Sequence, residues 1–348
     1  MLCDSVEVTE ASPAPTQSNR STAARLTKVI SLVLASIAPP LILVTLLFGP
    51  RAAGGLILPA MVGIFGVLMG SPRVGLMASI LMILIGPVAA IAGQVAITGA
   101  AIMGLACIGV GVSAGWGLQR ALSMIPMTMA FLMVNPPPLS DGSIDRTSST
   151  YLFAVMLILA IGSLWSTAVL TLMTRQAKLP KPPPNTRADT IEYLTIITVL
   201  CSAATFVVLT LQPGPDAFWL ILTLLVVVQV GNQETRRKTL DRVGGTILGA
   251  ALAAALVTVV HAPWVLTLVA ILCVLASVYF ATGPRYWLYM SFMTPAIVLS
   301  AGAATAVSTA EARVLYTVVG GALAMIAIGI SDLIRKSGHN TNFPAATG

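Results

Sequence analysis

The stretch LTLLVVVQVGNQETRRKTLDRVGGTILGAALAAALVTVV, residues 222–260, decides the fold. One apolar run ends near Gly231, a polar segment carries Arg236, Arg237 and Lys238, and a second apolar run opens at Val243. Two runs able to cross a bilayer, joined by a basic connection, are the mark of a membrane helix pair. The pattern holds along the whole chain. Of 348 residues, 57% are hydrophobic and only 9% are charged, with a mean hydropathy of +0.93. Soluble domains carry about 25% charged residues, and a disordered chain would be polar. A polytopic helical membrane protein remains, because lipid leaves an open backbone without hydrogen-bond partners.

Working outward, the apolar runs place spans at 29–49, 52–70, 74–92, 95–118, 121–135 and 150–173, then at 190–211, 216–231, 243–261, 263–282, 286–304 and 313–334. The fifth and eighth are short, and the fifth could be re-entrant. The expected fold is all-α, with about 12 transmembrane helices in two duplicated six-helix halves, 29–173 and 190–335. Residues 1–28 read as a disordered tail, 174–189 as a proline-stiffened linker and 336–348 as a second tail. The run from Val29 is too long for a signal peptide. With the N-terminus inside, sixteen Lys and Arg fall on the cytoplasmic side, against Arg51, Arg146 and Arg313 outside. That asymmetry puts both termini, the linker and both tails in the cytoplasm.

A shift of 169 residues lays Arg73-Val74-Gly75 on Arg242-Val243-Gly244, and Met124 and Pro126 on Met293 and Pro295. A shift of 167 lays Arg146, Thr150 and Gly162 on Arg313, Thr317 and Gly329. Within the second half, Arg242-x3-Thr246-x2-Gly249 recurs as Arg313-x3-Thr317-x2-Gly320. Each copy opens the third span of a three-span unit, so consecutive units run in opposite directions, a common build for secondary transporters.

Trp219-x3-Thr223, Val228-Gln229-Val230-Gly231 and Thr235-Arg236-x5-Arg242-x2-Gly245-Thr246-x2-Gly249 together resemble the core motif of the fusaric acid resistance protein-like family. Thr294-Pro295 and the Arg313 motif are similar to its closing segment. The resemblance covers roughly 190–335 well and the first half weakly. It implies a bacterial inner-membrane transporter, related to aromatic carboxylic acid efflux subunits and aluminium-activated malate channels, the efflux members working beside a periplasmic adaptor protein. Many bacterial members carry a large cytosolic domain where this chain has only the linker.

Arginines at helix starts attract carboxylates, through fixed charge and unpaired backbone N–H groups. The expected substrate path is lined by Arg73 and Arg242 at the inner entrance and Arg146 and Arg313 at the outer one. Thr246 and Thr317, one turn along the same faces, supply hydroxyls. Interface marking is the plainer reading of any single arginine. Pro126 and Pro295 interrupt the fifth and eleventh spans at matching positions, as hinges beside a site or as packing kinks. Glu192 is the candidate for proton coupling, with an interfacial ion pair to Arg187 as its alternative.

Four cysteines, Cys3 in the tail and three in separate apolar runs, and two histidines give no metal or disulfide framework. No cofactor is expected, and no P-loop exists. Gly111-x-Ser113-x-Gly115 matches a hydrolase string but sits in an apolar run suited to close helix packing. The basic segments lack interleaved aromatics, which argues against nucleic acid. The function expected is export of small organic anions, aromatic carboxylic acids by the resemblance; a passive anion channel and a non-transporting assembly subunit are the rivals. The partners are the bilayer, the anion and the adaptor, with a homo-oligomer left open.

Overall fold

The computed structural model describes residues 17–139, 142, 144–175, 183–260, 262–281, 285–300 and 302–340. Among them the chain is all helix and turn, with no strand. Chain order gives α1 (Gln17–Phe48), α2 (Pro50–Ala53), α3 (Ile57–Met69), α4 (Pro72–Ala92), α5 (Ala96–Ser113), α6 (Gln119–Leu122) and α7 (Met124–Val134). Then come α8 (Ser149–Met173), α9 (Arg187–Leu211), α10 (Phe218–Val227), α11 (Asn232–Val259), α12 (Pro263–Ala281), α13 (Tyr286–Ser300) and α14 (Ala303–Asn340). Each expected span falls on helix. Among the described residues, eight helical stretches are long and apolar enough to cross a membrane, and Gln119–Val134, Pro215–Val227 and Trp264–Phe280 are shorter apolar ones.

Local chemistry sets these boundaries. Ser71 caps α4, its hydroxyl accepting from Val74 N at 3.2 Å, with Pro72 at the first helical position. Thr186 caps α9 by accepting from Asp189 N at 3.2 Å. Helix α9 therefore starts inside the expected linker, of which 176–182 lie outside the described residues. Helix α1 starts at Gln17, inside the segment read as a disordered tail; residues 1–16 lie outside the described residues.

Pro39 and Pro40 sit inside α1 and leave the carbonyls of Ala35 and Ser36 without their helical donors. Helix α8 supplies both. Trp165 Nε1 donates to Ala35 O at 2.9 Å and Ser166 Oγ to Ser36 O at 3.0 Å. These prolines are more than kinks: they make the seam between α1 and α8.

The main apolar core runs across both halves. It joins Met103 and Cys107 of α5 to Ile197, Cys201 and Val208 of α9, and Phe131 of α7 to Phe218 at 5.4 Å. A smaller core lies among α11, α12, α13 and α14. The outward surface carries large apolar side chains such as Leu46, Met77, Ile97 and Val259. That belt is what lipid would cover.

Candidate functional site

Helices α10 and α11 are joined by a short extended segment that side chains hold by hydrogen bonds to its backbone. Gln229 Nε2 donates to the carbonyls of Val226 and Val228 at 2.8 and 2.9 Å, closing the end of α10. Thr235 Oγ1 accepts from Gln229 N at 2.9 Å and donates back toward Gln229 O at 3.0 Å. Gly231, at φ +99°, makes a turn that L side chains resist. These are the motif residues between Val228 and Thr235, and their work is to hold α10 against the first turns of α11.

From that junction α11 runs unbroken through the polar turn into the apolar run. Thr235, Thr239, Arg242, Thr246 and Gly249 share one buried face, following helical spacing. Arg242 is therefore ten residues into its helix, about 15 Å from the start. Arg313 is equally deep in α14. The expectation that these two arginines sit at helix starts, near opposite surfaces, is corrected here. The Gln, Glu, Arg and Lys of residues 233–238 read as a loop by hydropathy, yet they are strong helix formers, so the helix extends through them.

Depth brings the two arginines together. Arg242 is 4% exposed and Arg313 only 2%. Arg242 Nη1 donates to the Tyr286 hydroxyl at 3.1 Å and lies 3.7 Å from Met290 Sδ. The Arg313 guanidinium lies over the Trp219 ring, 3.9 Å from its centroid. The arginine of α11 is thus held by α13, and the arginine of α14 by α10. Each is within electrostatic reach of the other.

Glycine permits the crossing. A Cβ at Gly245 would lie 2.5 Å from Trp287 O, and one at Gly249 would lie 2.8 Å from both Ser291 O and Pro295 Cδ. Ser291 is the residue whose carbonyl Pro295 frees, so α11 meets α13 where its ladder is open. On the other side, Gly320 of α14 faces Thr223 of α10. Small residues at such contacts are how membrane helices approach closely.

The cluster is short of acceptors. Arg242 Nε, Arg313 Nε and Nη1, and the hydroxyls of Thr223, Thr246 and Thr294 are buried without hydrogen-bond partners. The ion pairs among the described residues, Arg120–Glu234, Arg236–Asp332 and Arg335–Glu192, include neither arginine. Burying a guanidinium this way costs several kcal/mol, which an anion would offset. Thr317 is also buried, one turn beyond Arg313.

The other expected residues lie elsewhere. Arg73 is exposed in the first turn of α4. Arg146 precedes α8, where Nη1 donates to Met133 O at 2.9 Å and Ala90 O at 3.5 Å, the last carbonyls of α7 and α4. Burial holds its guanidinium below the ordinary value. Ser123 keeps helical backbone angles between α6 and α7, and Pro126 has no N–H to donate to Leu122 O, so it interrupts the Gln119–Val134 stretch as Pro295 interrupts α13. Glu192 pairs with Arg335, at 3.2 Å, and with the Ser331 hydroxyl; Arg335 takes the place foreseen for Arg187. Ser113 of the hydrolase string donates to Val110 O at 2.6 Å, and Gly111 packs on Leu194. His261 lies outside the described residues.

Tyr286 reads from sequence as an interface anchor, and Tyr289 and Asp216 carry no motif signal. Thr223 and Thr294 stand in quoted motifs without an assigned role. The Trp219-x3-Thr223 spacing was the available clue, since it sets both side chains on one face of α10.

Among the described residues the fold is all-helical, with eight stretches long and apolar enough to cross a membrane, around a buried cationic centre. The family model described as fusaric acid resistance protein-like matches residues 200–327, which contain every member of the arginine cluster, and suggests a role of the transporter type. The second half thus carries the family's segment, as its motifs led one to expect. No curated protein and no solved structure matches the chain.

Proposed function

We propose that this protein exports small organic anions across a bacterial inner membrane, through twelve spans in two related halves with both termini cytoplasmic. Aromatic carboxylic acids are the class the resemblance favours, and a periplasmic adaptor and a homo-oligomer are the partners in keeping with it. The binding centre lies around Arg242 and Arg313, with Thr246 and Thr317 one turn along each helix. The observation that carries this reading is the set of buried guanidinium and hydroxyl groups with no acceptor. A carboxylate supplies the missing acceptors and the missing charge. In support of related halves, α8 packs on α3 and α4 as α14 packs on α10 and α11.

Benzoate efflux from proteoliposomes tests the proposal. Arg242→Gln and Arg313→Gln should each lower the rate at least about 100-fold, since either leaves the carboxylate facing one guanidinium. Normal rates in both variants would sink it. Arg73 and Arg146, entrances in the expected path, have no unpaired buried donors of this kind and are not assigned to the centre.

A passive channel is the second reading. It is favoured by the pairing of Glu192 with Arg335 and Ser331, which holds the proton-coupling candidate about 27 Å along α14 from Arg313. Concentrative uptake driven by a proton gradient, lost in Glu192→Gln, would restore Glu192 as the coupling residue.

A further inference from the structure

Asp216 lies in the turn Pro215–Ala217 that runs directly into α10, one helical turn before Trp219. That turn packs against α14. Asp216 is half-buried, makes no ion pair within 4.0 Å among the described residues, and adjoins Trp219, on whose ring Arg313 is stacked. Its charge reaches Arg313, as does that of Arg242. The nearest further cation along α11 is Lys238, 5.5 Å over the Tyr286 ring, and it shares its polar turn with Glu234, which pairs with Arg120 at 3.9 Å. The centre therefore holds the buried charges of Arg242 and Arg313, with Lys238 within reach of Arg242 on one side and half-buried Asp216 within reach of Arg313 on the other. In a low-dielectric site, occupants that leave residual charge are penalised.

We propose that Asp216 sets the valence of the transported anion, so that the site accepts one carboxylate and disfavours a second. The inference rests on the anion-site reading above and adds its selectivity. Asp216, beside Arg313, repels each negative charge the ligand brings, so a second carboxylate is penalised more than the first. Trp219, with Arg313 already on its face, offers the ligand no free platform there. Recognition at this point is by charge.

Benzoate and phthalate at pH 7.5 are the probes, an aromatic monoanion and its dianionic counterpart, titrated into the full-length purified protein by calorimetry. Wild type should bind benzoate the more tightly. Asp216→Asn and Asp216→Ser should raise the phthalate-to-benzoate affinity ratio about tenfold, within the usual range of single-site couplings. Asp216→Glu should return it toward wild type. Glu311→Gln is the control for long-range charge, because Glu311 is exposed on α14 only two residues from Arg313. An unchanged ratio in both uncharged variants, or an equal rise in Glu311→Gln, overturns the role of Asp216. Loss of both probes in Arg313→Gln would leave the site standing in that event. Unaltered binding in Arg313→Gln, or no binding of either probe to wild type, overturns the site and the inference together.

Discussion

Arg146 and Arg313 are related by the 167-residue shift, yet they are used in opposite ways. Arg146 is half-buried and spends its guanidinium on the carbonyls that end two helices. Arg313 is fully enclosed, stacked on Trp219, with two nitrogens unpaired. Their surroundings follow suit. Between α1, α4 and α8, Ser79 meets Thr167 at 3.0 Å and Ser166 donates to Ser36 O. Around α10, α11, α13 and α14, the hydroxyls of Thr223, Thr246 and Thr294 have no partner. In the first cluster hydroxyls fasten helices together. In the second they stand beside glycine packing and aromatic stacking and remain free to bind.

Six substitutions test that contrast. The largest difference is expected between the two arginines: Arg313→Gln abolishes transport with a folded protein, whereas Arg146→Gln transports but is less stable by about 1.5–3 kcal/mol. Thermal unfolding in detergent beside the transport assay separates the two. Next comes packing. Gly249→Ala forces a Cβ onto Ser291 O and Pro295 Cδ and should cost about 1–3 kcal/mol. Its near neighbour Gly244 has open space around it, so Gly244→Ala should be neutral or slightly stabilising. Ser166→Ala strands the carbonyl freed by Pro40 and should cost about 1 kcal/mol, without touching transport. The smallest change is Glu192→Gln, under about 1 kcal/mol, because Arg335 is largely exposed.

The sequence was most legible where chemistry is local. Apolar runs located the helices, and the Arg-x3-Thr-x2-Gly spacing picked out faces that do prove buried on both α11 and α14. Depth was harder to read. Hydropathy ends a span where charge begins, but helix propensity carries α11 back to Asn232, and this turns Arg242 from an entrance residue into an interior one. Convergence was not legible at all. That α13 holds the arginine of α11 while α10 holds the arginine of α14 is a property of four helices packed together, and no spacing within one helix encodes it. Asp216 escaped for the same reason: it lies in a turn, and only the docking of that turn on α14 gives it meaning. The prolines were legible too: Pro126 and Pro295, aligned in sequence, each interrupt the hydrogen-bond ladder of an apolar helical stretch.

The central claim is that the second half binds an anion at Arg313 while the first half's Arg146 only fastens helices. Benzoate efflux from proteoliposomes reconstituted with Arg313→Gln and, separately, with Arg146→Gln at equal protein density tests it most directly. Transport is expected to be lost in the first and retained in the second. Equal rates in the two variants would contradict it.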